Sequence, residues 1–137
     1  MPNEVLQQKL DSIARCIQRL DLKKPKSLED LVTDVDLQDI IIINLERLVQ
    51  TSVDVTNVLL SEKKLLPLPT TMADSFICLH KHNIISAELA NNLAKAVGFR
   101  NICVHEYDKI NWAIVFKILE SSLNDYRLFA KIINDFA

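Results

Sequence analysis

The stretch QDIIIINLERL, residues 38–48, decides the fold. Four consecutive isoleucines, Ile40 to Ile43, are β-branched and suit a strand. Their surroundings point the other way. From about residue 35 to residue 62 the apolar positions stay dense, with Leu45, Leu48, Val49, Val53, Val55, Val58 and Leu59 continuing the run. That is far longer than a strand and matches a helix. A lone strand does not fit this context. The isoleucines cover the whole circumference, so the helix is expected to be buried on several sides, either central in a bundle or covered on one side by a partner. Asp34 or Asp36 can cap it.

The segments on either side read as helices too. Residues 3–20 place Val5, Leu6, Leu10, Ile13, Ile17 and Leu20 at helical spacing, and Pro25 ends that segment. PKSLEDLVTD adds a short turn with Ser27 as its cap. Pro67 and Pro69 break the chain in LLPLPTT, after which Thr70 or Thr71 caps a short helix running to about His82. Ser86 caps a further helix through Leu89, Leu93, Val97 and Ile102, which fades near His105. Asn111 caps the last, with the stripe Ile114, Val115, Ile118, Leu119, Leu123, Tyr126, Phe129 and Ile133. The expected fold is all-α, an antiparallel four-helix bundle with one or two additional short helices, and residues 1–137 form a single domain. Composition agrees: one glycine, four prolines, 49% hydrophobic and 6% aromatic residues leave aliphatic side chains to supply the burial and few turns to connect strands.

A formal charge of −2 argues against broad non-specific nucleic-acid binding but leaves room for a local basic site. Cys16, Cys78 and Cys103 are odd in number and widely spaced, which argues against a disulfide framework or a structural zinc site and for a reducing, cytoplasmic setting. No apolar run is long enough to span a membrane. Cys103 reads as a core residue, Asp34, Asp36 and Asp39 as a helix start, and His80 and His82 as solvated.

The most polar interruption of an apolar helix is RNICVHEYD, residues 100–108. Arg100 and His105 lie roughly 140° apart on a straight helix, whereas Asn101 and His105, at i and i+4, share a face. The group converges only if arginine wraps round, the helix unwinds at His105, or a second copy of the chain completes the site. The residue types suit phosphodiester chemistry on RNA. Histidine can take a 2′-hydroxyl proton and return one to the leaving oxygen. Arginine offers a planar fork to phosphate. Asn101 can orient either, and Tyr107 can stack on a base. None of this requires a metal or cofactor, and His80 and His82 make no ligand set with His105. On chemistry alone the string also reads as a solvated helix end.

Read whole, GFRNICVHEY resembles the signature of the HEPN superfamily in its HepT branch: Arg100, Asn101, three further residues, His105, one residue, Tyr107. INLERLVQTSVDVTNVLL resembles that family's long second helix, with Asn44, Arg47, Asp54 and Asn57. LPTTMADSFICLHKHNIIS resembles the following loop and short helix, with Asp74, Ser75 and Phe76. The first thirty residues show no such likeness, and Ala73 stands where related chains often carry a basic residue. The resemblance implies a toxin of a toxin–antitoxin pair: a metal-independent endoribonuclease with His105 as general acid/base and Arg100 on the phosphate. It also implies a homodimer with a shared cleft. The antitoxin implied is a minimal nucleotidyltransferase of the MntA type, which transfers AMP to the motif tyrosine, here Tyr107. Asp54 and Asn57 are candidates to orient Arg100 or His105.

The competing reading is a non-catalytic helical interaction or nucleotide-binding module paired with a nucleotidyltransferase, which the mild acidity of the chain favours. The nucleotidyltransferase itself is set aside, because the chain shows neither a Gly-Ser turn nor paired aspartates on strands.

Overall fold

The structure is a computed structural model and describes residues 4–137. Residue 3, where the first helical pattern begins, lies outside the described residues. The elements are α1 (Glu4–Lys23), α2 (Leu28–Val32), α3 (Val35–Glu62), α4 (Met72–Lys81) and α5 (Ala87–His105). After a 3-10 turn (Tyr107–Lys109) come α6 (Trp112–Lys117) and α7 (Leu123–Phe136), joined through a π turn, Ile118–Ser122. Among the described residues there is no strand.

Side-chain caps set where the helices begin. Ser27 Oγ accepts from the Asp30 amide at 3.2 Å, Asp34 Oδ1 from Leu37 at 3.0 Å, and Thr71 Oγ1 from Asp74 at 3.1 Å. Ser86 Oγ accepts from Leu89 at 3.1 Å and Asn111 Oδ1 from Ala113 at 3.0 Å. Each satisfies an amide that the first turn leaves without an intrahelical partner. Of the alternatives read from sequence, Asp34 and Thr71 are the caps.

α3 packs on α1 and α5, and α7 closes the square against the same two helices; α4 lies across α3 and α5. Cross-helix contacts run in opposite senses. Lys9 meets Asp54 on α3, and the later α1 residue Cys16 feels the earlier α3 residue Arg47. Gln50 meets Arg100, while the earlier Asp39 meets the later Tyr107. The long helices are therefore antiparallel.

The isoleucine run behaves as a helix buried on three sides. Ile41 and Ile42 are buried, Ile40 is half-buried, and Ile43 is 45% exposed. Phe76 of α4 meets Phe129 of α7 edge to face, ring centroids 5.7 Å apart, and both are fully buried. Val5 and Ile114, counted into the apolar stripes by periodicity, are half exposed. Both precede a residue buried on the core side, Leu6 and Val115, and so sit about 100° off that face.

The π turn has a visible cause. Val115, Leu119 and Leu123 are buried at two successive spacings of four. On an α-helix each such step drifts by roughly 40°. The wider turn absorbs that drift, so Tyr126, Phe129 and Ile133 continue on the same face. Polar groups in the core mostly bond within their own helix. Ser52 Oγ donates to Leu48 O at 2.7 Å, Thr56 Oγ1 to Ser52 O at 2.9 Å, and Asn44 Nδ2 to Ile40 O at 2.8 Å. Among the described residues no helix is long and apolar enough to cross a membrane.

Candidate active site

The motif occupies the last turn of α5 and the 3-10 turn beyond it. α5 stops at His105, where the Glu106 amide still donates to Ile102 O at 2.8 Å while its own backbone has left the helical region. Burial divides the segment. Cys103 faces the core, and burial pushes its thiol up to about 11, so it stays protonated. Ile102, Val104, His105 and Tyr107 face outward.

Arg100 is half-buried and braced from two sides. One terminal nitrogen donates to Gln50 Oε1 on α3 at 3.2 Å; the other donates to Asn101 Oδ1 at 3.3 Å and lies 3.9 Å from Met72 Sδ on α4. Gln50 is oriented in turn. Its Nε2 donates to Asp54 Oδ1 at 3.0 Å, which leaves only its carbonyl oxygen to face the guanidinium. Asp54 lies 3.8 Å from Lys9 on α1. Gln50 and Asp54 stand one turn apart on one face of α3. A continuous polar chain thus runs Lys9, Asp54, Gln50, Arg100, Asn101. Arg100 Nε is buried and has no hydrogen-bond partner among the described residues.

His105 is exposed and makes no hydrogen bond or ion pair among the described residues. No bond joins it to Arg100, which turns inward toward α3 and α4 while His105 ends α5 on the outside. Asn101 joins Arg100. Asp54 reaches Arg100 through Gln50, which the sequence reading missed. Asn57 goes elsewhere: its Oδ1 accepts from the buried Ser75 Oγ at 3.1 Å, tying α3 to α4.

Tyr107 Oη donates to Asp39 Oδ1 at 2.7 Å, and the ring stands edge-on to Trp112 with centroids 6.4 Å apart. Asp39 is therefore more than part of a helix start. The helix-start roles belong to Asp34, the cap, and Asp36, in the first turn. The Asp39 hydrogen bond is the main cause that pushes the Tyr107 phenol up to about 12, with burial and the charges of Asp39, Cys103 and Glu46 adding to it. His80, expected to be solvated, is half-buried with Nδ1 3.2 Å from Ile85 O, where it stitches the end of α4 to the connector. Among the described residues no three His, Cys, Asp or Glu side chains are grouped as a metal site would need.

Position along α3 carried a signal for the two missed residues. Asp39, Gln50 and Asp54 are separated by 11 and 4 residues, near-whole numbers of turns, so they form one polar stripe on an otherwise apolar helix.

The family model described as Ribonuclease HepT-like matches residues 7–133. Over 131 residues the chain is 34% identical to the mRNA nuclease HepT of Shewanella oneidensis, covering 96% of this chain and 97% of that one. It is 31% identical over 132 residues to the tRNA nuclease HepT of Aphanizomenon flos-aquae, covering 96% and 89%. Its fold superposes with a TM-score of 0.91 and 33% identity on tri-AMPylated Shewanella oneidensis HEPN toxin solved in complex with MNT antitoxin, covering 98% of this chain and 99% of that one. With the motif end, the bundle and the full-length match in agreement, the chain belongs to the HepT-like ribonuclease family.

Proposed function

We propose that the chain is the endoribonuclease toxin of a cytoplasmic toxin–antitoxin pair. The observation that carries this is Arg100: fixed by Gln50 and Asn101, with a buried Nε still unpaired, about one and a half turns from an exposed His105. His105 takes the proton of an RNA 2′-hydroxyl. The 2′-oxygen forms a bond to phosphorus, the bond to the 5′-oxygen breaks, and the proton returns to that leaving oxygen. Arg100 and Asn101 stabilise the charge that develops on the phosphoryl oxygens. The products are a 2′,3′-cyclic phosphate and a 5′-hydroxyl. No metal takes part in these steps.

Since Arg100 and His105 do not meet within one chain, the working unit is a homodimer whose cleft brings two motifs together. Ile43, Ile102 and Val104 are exposed beside the motif and supply apolar surface for that contact. The antitoxin is a minimal nucleotidyltransferase of the MNT type, and it silences the site by attaching AMP to Tyr107. The kinship with an mRNA nuclease, a tRNA nuclease and an AMPylated toxin supports the substrate class and the mode of neutralisation.

The test is cleavage of RNA by purified wild type and His105→Ala in the presence of a chelator. Cleavage by wild type to cyclic-phosphate ends, and none by a folded mutant, is the expected result. Equal cleavage by both, or none by either, favours the non-catalytic partner-binding reading instead.

A further inference from the structure

The tyrosine beside the motif is the one exposed phenol whose hydroxyl already touches a carboxylate from a distant element. Tyr107 rides on the 3-10 turn after α5. Asp39 comes from the second turn of α3, 68 positions away in sequence, and its Oδ1 lies 2.7 Å from Tyr107 Oη. Among the described residues Asp39 is the only hydrogen-bond partner of that oxygen. Trp112 backs the ring edge-on, which leaves the hydroxyl facing α3 and the solvent. Asp39 is exposed, so a proton received there can pass to water.

This arrangement gives a nucleophile an adjacent base. A phenol held up to about 12 is fully protonated at neutral pH and attacks phosphorus only if its proton leaves as the bond forms. Of the other groups that act on Tyr107, Cys103 is a buried thiol kept protonated and Glu46 makes no hydrogen bond to it.

We propose that Asp39 is the general base for modification of Tyr107, so that the toxin itself supplies part of the chemistry that silences it. This rests on the reading of Tyr107 as the AMP acceptor. In the step, Tyr107 Oη forms a bond to the α-phosphorus of a nucleoside triphosphate. The bond from that phosphorus to the bridging β-oxygen breaks, and pyrophosphate leaves. The phenolic proton passes to Asp39 Oδ1 and then to solvent. The product is a tyrosyl phosphodiester. It carries a negative charge and no hydroxyl hydrogen, so it can no longer donate to Asp39 and is repelled by it. The same carboxylate that favours the forward step therefore disfavours return of the modified side chain to its original place.

The experiment uses the chain co-expressed and purified with the nucleotidyltransferase that suppresses its toxicity, with magnesium and ATP labelled at the α-phosphate. Asp39→Asn keeps an acceptor oxygen for the phenol but cannot take its proton. It is expected to lower kcat for the first AMP transfer by roughly 10²–10⁴-fold, with KM for ATP and the melting temperature unchanged. Asp39→Glu is expected to regain part of the rate. Label entering Asp39→Asn at the wild-type rate overturns the inference and leaves Tyr107 as acceptor intact. So does a loss carried by KM alone. A wild type that takes up no label, or that labels no better than Tyr107→Phe, overturns the acceptor reading and the inference together.

Discussion

The interior of α3 and the surface at the end of α5 treat polar side chains in opposite ways. Inside, Ser52, Thr56 and Asn44 bond to carbonyls four residues back on their own helix. At the motif, Arg100 bonds to a residue 50 positions away and Tyr107 to one 68 positions away. The interior bonds form as soon as α3 forms. The motif bonds exist only once α3, α4 and α5 are packed. Folding stability thus resides in one region, while the other spends assembled tertiary structure on holding a few groups in place.

Four experiments break or sharpen that contrast. The largest effect is expected from His105→Ala: cleavage falls by roughly 10²–10⁴-fold while the melting temperature does not move, since the side chain is exposed and unbonded. Phe129→Ala is its mirror image. It removes a fully buried ring from the contact with Phe76 and should cost about 3–5 kcal/mol in a denaturant titration. Next comes the pair Gln50→Ala and Ser52→Ala. Losing Gln50 frees the guanidinium to wander and should lower cleavage roughly 10- to 100-fold, because small displacements of a charge-stabilising group are costly. Losing Ser52 removes one local bond, about 1 kcal/mol of stability, and leaves cleavage alone. If Gln50→Ala behaved like Ser52→Ala, the polar chain would be scaffolding and the contrast would collapse.

The smallest effect is spectroscopic. Both tyrosines are held up, Tyr107 chiefly by Asp39 and Tyr126 by burial, so tyrosinate absorbance should appear only well above the ordinary value of about 10. Asp39→Asn should bring one of the two back down toward it. The sign follows from the raised value: Asp39 favours the protonated phenol, and removing its charge releases that preference.

What could be read from sequence follows the same division. Caps and helix limits depend on neighbours a few residues away, so Ser27, Ser86 and Asn111 could be assigned without any structure, and Asp34 and Thr71 to within a residue or two. The motif residues could be found because they sit together in RNICVHEYD. Their supports could not. Gln50 and Asp39 look like any solvated position of a long helix until α5 is laid against them. Asn57 shows the converse: it shares a stretch with Asp54, yet it turns to Ser75 because α4 happens to cross there.

The π turn at Ile118–Ser122 has a consequence for how this chain tolerates change in length. It acts as a single-residue phase correction near the start of the last long helix. Deleting one residue there would restore an unbroken α-helix locally, with better hydrogen bonds than before. Everything downstream would then rotate by about 100°. Phe129 and Ile133 would be carried off the core face, and Leu128, now half exposed, toward it. A change that improves the helix as a helix would thus put its second half out of register with the other three.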